Sequence, residues 1–385
     1  MIVIYKTFKY RIYPSKEQIK RLCEWMSVSR FLWNLALEQR LAGWKRLVGE
    51  KIFPSSFSQG VELTELRKDY DWIRDVPRHI LVSILDNLDK SWKRFFSGIS
   101  EVPRWKNKSS SHCCLKEFDS IAFALRDKGL KFPKLGLIPI RLHRPLEGRP
   151  KSCTIKKDGN QWFACVQCEI EIPEPIKRTE PVVGLDRGIT HFLATSDGRL
   201  VDNPKHLEKS LARLARAQRR FSRRRKGSKR REKAKLRVAK IHQKIRRQRE
   251  HTLHVESHRL AKSHGVVVIE DLNVAGMIRS KLSRHIADVG WSKFATFLKY
   301  KLEWSGGELV KVPAQYSSQT CFACKAVDKA SRRGNSFECT SCGNKDHADL
   351  NAAKVIKSRA NRSALIVEGN SMESLRSDKL RLHDV

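Results

Sequence analysis

Val182-Val-Gly-Leu-Asp186 and Val266-Val-Val-Ile-Glu270 are the two stretches that decide the fold. Each is a short, largely β-branched apolar run with no polar alternation, and each closes on a carboxylate. Central strands of a parallel sheet, buried on both faces, read this way, whereas a half-solvated strand alternates. Between them, Phe192-Leu-Ala-Thr195 reads as a strand turning at Ser196-Asp-Gly198, an antiparallel neighbour for the first run. After them come a polar loop over 272–288, an amphipathic helix marked by Trp291, Phe294, Phe297, Leu298 and Leu302, and a strand at Leu309-Val-Lys-Val-Pro313. A helix beginning at Leu350-Asn-Ala-Ala-Lys-Val-Ile-Lys357 closes the series. The pattern predicts an α/β domain over 176–360, with Pro173-Glu174-Pro175 as the boundary before it.

The chain ahead of that boundary has a different texture. Val3 to Tyr13 mixes β-branched and aromatic residues with Lys and Arg, a half-buried strand that Pro14 ends. Ser15 and Gln18 form a capping-box pair, followed by Ile19, Leu22, Trp25, Met26, Leu32 and Leu35 at helical spacing. A second helix runs from Pro77 to Phe96 with Ile80, Leu81, Ile84, Leu85, Leu88, Trp92 and Phe95 on one stripe, a core face. Residues 15–100 thus read as a helical module. After the basic loop starting at Pro103-Arg-Trp-Lys, β-like runs appear at 120–125, 130–140 and 152–172, the last a hairpin turning at Asp158-Gly159-Asn160. Cys165 and Cys168 fall in its second arm on opposite faces, as packed small side chains. The tail 361–385 is polar and aperiodic, and reads as mobile.

Composition narrows the partners. The 385 residues carry 78 Lys plus Arg against 41 Asp plus Glu, a formal charge of +37, while 40% hydrophobic content is enough for sizeable cores. No apolar run is long enough to span a bilayer and no secretory leader is visible, which predicts a cytoplasmic protein without a membrane partner. A charge this large calls for a polyanion, and its spread over folded segments favours nucleic acid. Residues 213–249 concentrate it, with 19 Lys or Arg and a single acid, Glu232. Leu211, Leu214, Ala217 and Phe221, then Leu236, Val238, Ile241 and Ile245, are helix-spaced around a break at Gly227-Ser228. This basic helical pair, 205–252, is the candidate backbone-binding element, with Arg219, Arg220, Arg223, Arg224, Arg225, Lys226, Lys229 and Arg230 as candidate phosphate contacts.

Two constellations carry chemistry. Four of the ten cysteines form Cys321-x2-Cys324 and Cys339-x2-Cys342. Each pair makes a knuckle whose sulfurs point inward, and two knuckles complete a tetrahedron with no open position, which predicts structural zinc. The second constellation is acidic. Asp186 and Glu270 end buried strands and Asp349 opens the last helix, so a sheet with a covering helix can gather them. Clustered carboxylates repel unless divalent cations lie between them. Two Mg²⁺ ions roughly 3.5–4 Å apart would clamp the attacking and leaving oxygens of a phosphodiester. At this level Asp271 and Asp346 stay open as the relevant partners, because both faces of the 266–270 strand are apolar.

Taken together, several motifs resemble those of TnpB proteins, transposon-encoded relatives of the type V CRISPR effector nucleases. They are Gly184-Leu-Asp186-Arg-Gly-Ile189, Val268-Ile-Glu270-Asp-Leu-Asn-Val274, Ser317-Ser-Gln-Thr-Cys321 and Asp346-His-Ala-Asp349-Leu-Asn-Ala-Ala353. Lys9-Tyr-Arg-Ile-Tyr-Pro14, Val102-Pro-Arg-Trp105, Leu130-Lys-Phe-Pro-Lys-Leu-Gly136 and Ser222-Arg-Arg-Arg-Lys-Gly227 extend the likeness over nearly the whole chain, in order. One departure is Lys354-Val-Ile356, where Asn-Ile is more usual. The resemblance implies a wedge-like β domain (1–14 and 101–175) interrupted by a helical recognition module (15–100). A RuvC-like, RNase H-type nuclease domain (176–360) with an inserted zinc ribbon (315–345) would follow. It assigns the catalytic, Mg²⁺-binding triad to Asp186, Glu270 and Asp349. It implies an RNA-guided DNA endonuclease of an insertion sequence, whose guide RNA comes from the transposon end and whose target is double-stranded DNA. A strand-joining transposase and a non-cutting guided repressor are the alternatives.

Overall fold

The computed structural model describes residues 1–44, 53–107, 114–127, 129–277 and 283–360. The tail 361–385, and the basic loop beyond residue 107, lie outside the described residues. The chain divides into two compact units that meet at Pro173 and Glu174, within the Pro-Glu-Pro punctuation.

In the first unit, the strand Ile2–Ile12 lies antiparallel to Gln161–Ile172 over its whole length, with Ile2 opposite Ile172 and Ile12 opposite Trp162. The five strands follow the order Cys114–Glu117, Arg149–Asp158, Gln161–Ile172, Ile2–Ile12, Ile140–Arg141. The helix Lys16–Trp44 starts at the predicted box: Ser15 Oγ accepts from the Gln18 amide and Gln18 Oε1 accepts from the Ser15 amide. Helix and sheet do not keep separate cores. Phe8, Tyr10 and Ile12 from the strand, Trp25 and Leu37 from the first helix, Leu85 and Trp92 from the helix Arg78–Phe96, and Val166 from the hairpin form one buried cluster. The run 130–140 is not one strand. The turn through Lys134 (φ 56°) and Gly136 (φ 69°) splits it into Gly129–Phe132 and Gly136–Ile138, the first pairing with the second and, on its other side, with Ala124–Arg126.

The second unit is built on the two apolar runs. In order across its sheet the strands are Leu200–Asp202, His191–Thr195, Val182–Asp186, Val266–Glu270 and Glu308–Val312. Counted along the chain this is third, second, first, fourth, fifth. Val266–Glu270 is parallel to both neighbours, which explains its unbroken apolar reading. Phe192, Phe294, Leu298 and Leu302 pack over one face. The expected polar loop 272–288 instead contains the helices Val274–Met277 and Ser283–Val289, because Ile286 and Val289, three apart, turn into the core. The basic pair forms Leu211–Ser222 and Lys229–Ser263, capped by Ser228 at the predicted break. The second helix outruns the predicted end at 252 because Leu253, Leu260 and Ala261 are anchored in the sheet's core.

Candidate active site and metal centre

The parallel register sets Leu185 beside Ile269, so the next residues, Asp186 and Glu270, stand together at the C-terminal ends of the two central strands. The third carboxylate arrives on a helix running from 348 to 360. Gly184 makes that approach possible. A Cβ there would lie 2.2 Å from the Ala353 carbonyl oxygen and 2.5 Å from the Lys357 amide, so the helix backbone rests directly on the strand. Asp349, in the first turn of the helix, is thereby held over the strand ends. Burial, then the charges of Glu270 and Asp349, push the Asp186 carboxyl up to about 7. Register and the Gly184 contact thus bring all three acids to one end of the sheet.

The surroundings orient each group. Ser317 donates its hydroxyl to Glu270 Oε1, and the buried Arg187 guanidinium donates to the Glu270 carbonyl oxygen. Asp349 is held from two sides, with Arg332 on Oδ1 at 2.9 Å and His191 Nδ1 on Oδ2 at 3.0 Å. The neighbouring acids point elsewhere. Asp271 is exposed and pairs with Lys311, while Asp346 pairs with Lys354 at 2.7 Å. Sequence reasoning missed Ser317, Arg332 and His191 as residues of this site. Ser317 stood inside a recognised motif; Arg332 and His191 carried no local signal, because only the fold brings them to Asp349.

The four cysteines also converge. Cys321 Sγ and Cys342 Sγ are 3.7 Å apart, and Cys324 Sγ and Cys339 Sγ are 3.5 Å apart. A tetrahedral ion with 2.3 Å zinc–sulfur bonds needs edges of about 3.8 Å, so the donor set fits zinc with little movement. Amide donors, that of Cys342 first, hold the Cys339 thiol down to about 6, while, against the Asn344 amide, the other three thiols push Cys342 up to about 12. This centre is tied to the acidic one. Asn351, fully buried one turn along the Asp349 helix, donates to the Thr320 carbonyl and accepts from the Phe322 amide, gripping the first knuckle.

On the basic pair, Arg219, Arg220, Arg223, Arg224, Arg225, Lys226, Lys229 and Arg230 are all exposed at or around the inter-helix break. Arg220 lines a groove of about 240 Å³ on the pair, and none of the eight lines the larger one beside it. That groove, of about 600 Å³, is lined by Arg213, Lys233, Arg237, Lys240 and Lys244 with Leu236 and Ile241. Helical spacing of four of these cations, Lys233, Arg237, Lys240 and Lys244, was a signal available in the sequence.

A family model described as "Probable transposase" matches residues 165–281, one described as "Cas12f1-like, TNB domain" matches 291–356, and one described as "Helix-turn-helix domain" matches 1–48. A Streptomyces pristinaespiralis protein named "Putative RNA-guided DNA endonuclease" is 36% identical over 360 residues, 91% of this chain and 88% of its own. The chain belongs to the TnpB/IS605 family. Within the TnpB family, InsQ of Escherichia coli K12, which carries the same description, is 28% identical over 370 residues, 91% of each chain. A chain of the cryo-EM structure of the Cas12f1–sgRNA–target DNA complex covers 92% of this chain and 99% of its own, at 17% identity and a TM-score of 0.35. The described part of 1–48 holds a strand and one long helix, so in this TnpB-family chain that segment is not a pair of helices. Among the described residues no helix is long and apolar enough to cross a membrane.

Proposed function

We propose that the chain is an RNA-guided DNA endonuclease of an insertion sequence, cutting double-stranded target DNA by Mg²⁺-dependent hydrolysis at Asp186, Glu270 and Asp349. The observation that carries this reading is the register that stands Asp186 beside Glu270, with the Asp349 helix resting on the strand at Gly184; burial and the two neighbouring charges raise the Asp186 carboxyl accordingly. Three carboxylates gathered at that cost suit a site that works with hard divalent cations, and their oxygens are the donors Mg²⁺ prefers. Arg187 and Arg332 lie close by, yet the shift persists in their presence. The sheet order resembles that of RNase H-type nucleases, RuvC among them, which agrees with the resemblance read from the motifs.

Mg²⁺, when bound, supplies polarisation of the scissile phosphate and stabilises the leaving oxygen. The chain's own part is to hold the carboxylates in place beforehand. Ser317 fixes Glu270, Arg332 and His191 fix the two oxygens of Asp349, and Arg187 pins the strand end at Glu270. The four cysteines would hold a structural Zn²⁺ that keeps the 315–345 segment, and through Asn351 the Asp349 helix, in register. The basic pair 211–263 would follow the phosphates of a guide RNA from the transposon end, with base pairing rather than protein contacts reading the target. A 1–14 and 101–175 wedge and a 15–100 recognition module complete the proposal.

The test is to express the chain with its own downstream DNA, sequence the copurifying RNA, and assay cleavage with Mg²⁺. One discrete RNA ending in a variable stretch, and cleavage directed by that stretch, are expected. Asp186→Ala should abolish cutting and keep the RNA. Random cellular RNA on folded protein would overturn the guided reading, and joined rather than cut DNA would favour a strand-joining transposase.

A further inference from the structure

The histidines beside Asp349 do more than orient it. His191 opens the strand His191–Thr195, His347 closes the short strand Lys345–His347, and Asp349 follows in the first helical turn. One ring nitrogen from each histidine and one Asp349 oxygen lie within 4.8 Å of one another. The two rings meet edge to face, centroids 5.3 Å apart at 69°, so they are not stacked. His191 Nδ1 and Asp349 Oδ2, at 3.0 Å, already have the separation of adjacent donors on an ion with bonds of about 2.1 Å. The third donor, within 4.8 Å of the other two, reaches the ion by a side-chain movement of up to about 1.5 Å.

We propose that His191, His347 and Asp349 form a second cation position, distinct in chemistry from the carboxylate cluster, that takes a late first-row divalent ion in preference to Mg²⁺. Two imidazoles and one carboxylate are a donor set for zinc, cobalt, nickel or ferrous iron, whereas Mg²⁺ demands oxygen. The outer contacts fit as well. Metal-bound histidines hand their second nitrogen to a carboxylate, and the exposed Asp202, 3.8 Å from His191 Nε2 and beyond hydrogen-bond distance, is the carboxylate within reach of it. The other Asp349 oxygen is fixed by Arg332, and the His347 ring is held at the helix start by a 3.3 Å contact with the Asp349 amide. Side-chain exposure is 15% for His191 and 10% for Asp349, so both are largely enclosed. Because Asp349 belongs to both groups, an ion held by the histidines competes with one held by the three acids. The assignment needs only these three side chains, and does not depend on the chain cutting DNA.

The test uses the full chain with its four-cysteine centre filled by zinc, titrated with Co²⁺ and read by the visible d–d absorption of cobalt without sulfur charge-transfer bands. One Co²⁺ per chain is expected, displaced by Mg²⁺ only at about a hundredfold excess or more. His191→Gln and His347→Gln, with folding checked by circular dichroism, should each weaken it about tenfold or more, while Asp186→Asn should retain it. Unchanged cobalt affinity in folded histidine variants would overturn the proposal, as would binding lost in Asp186→Asn alone. Magnesium-dependent cleavage is read in a separate assay, so a nuclease without this position and a cobalt site in a chain that does not cut are distinguishable results.

Discussion

Asp186→Asn keeps the size of the side chain and removes its charge, and its effect on stability can be worked out from the site. The carboxyl moves from an ordinary 3.8 to about 7, chiefly by burial and then by Glu270 and Asp349. At 1.36 kcal/mol per pH unit of difference this corresponds to about 4 kcal/mol. A carboxyl raised on folding binds its proton more tightly in the native state. The native chain is therefore not penalised below about pH 4, loses stability as pH rises towards 7, and carries the full cost above it. Asn cannot ionise, so the variant does not share that slope. In magnesium-free buffer with zinc retained, urea unfolding of the second unit should show wild type and variant matched at pH 4. By pH 8 the variant should be ahead by about 4 kcal/mol, or roughly 8–16 °C in melting temperature for a unit of this size. Millimolar Mg²⁺ at pH 8 should recover the wild type and leave the variant unmoved. Parallel pH curves for the two proteins, or a variant less stable at pH 8, would show that Asp186 is not confined with its neighbours as described.

The remaining predictions test how the site is held. Gly184→Ala drives a Cβ into the Ala353 carbonyl and the Lys357 amide, and should cost about 3 kcal/mol in chemical unfolding while shifting the Asp349 helix. A neutral result would mean the helix does not rest on the strand. Asn351→Ala leaves the Phe322 amide and Thr320 carbonyl without their partner; a loss of about 2 kcal/mol and faster zinc transfer to a chromophoric chelator are expected. Replacing Arg223, Arg224 and Arg225 together by Gln should weaken RNA binding irrespective of sequence and flatten the log-affinity against log-salt slope by about two. An unchanged slope would remove these three from the phosphate-binding surface.

Much of this protein follows from short-range rules that a sequence displays directly. The Ser15 and Gln18 box, the Ser228 cap, the stripe from Ile80 to Trp92 and the hairpin turning at Gly159-Asn160 depend on residues a few positions apart. Zinc-type spacing of the cysteines is equally local, which is why the sulfurs lie where the two knuckles imply. Periodicity failed where turn chemistry or tertiary packing outweighed it, as at Lys134 to Gly136 and in the helices inside 272–288.

Choice among the acids was beyond local rules. Glu270 and Asp271 are chain neighbours in an all-apolar setting, and only the lateral register with Val182–Asp186 turns one inward and leaves the other to Lys311. Asp346 and Asp349 are likewise separated by which of them meets His191 and Arg332 and which meets Lys354. Sequence alone determined the two central strands, the caps, the cysteine knuckles and the basic helices, because their signals repeat within a turn or a pleat. Tertiary structure decided which charges share an enclosure, because the cost of burying a carboxylate depends on groups that arrive from distant parts of the chain.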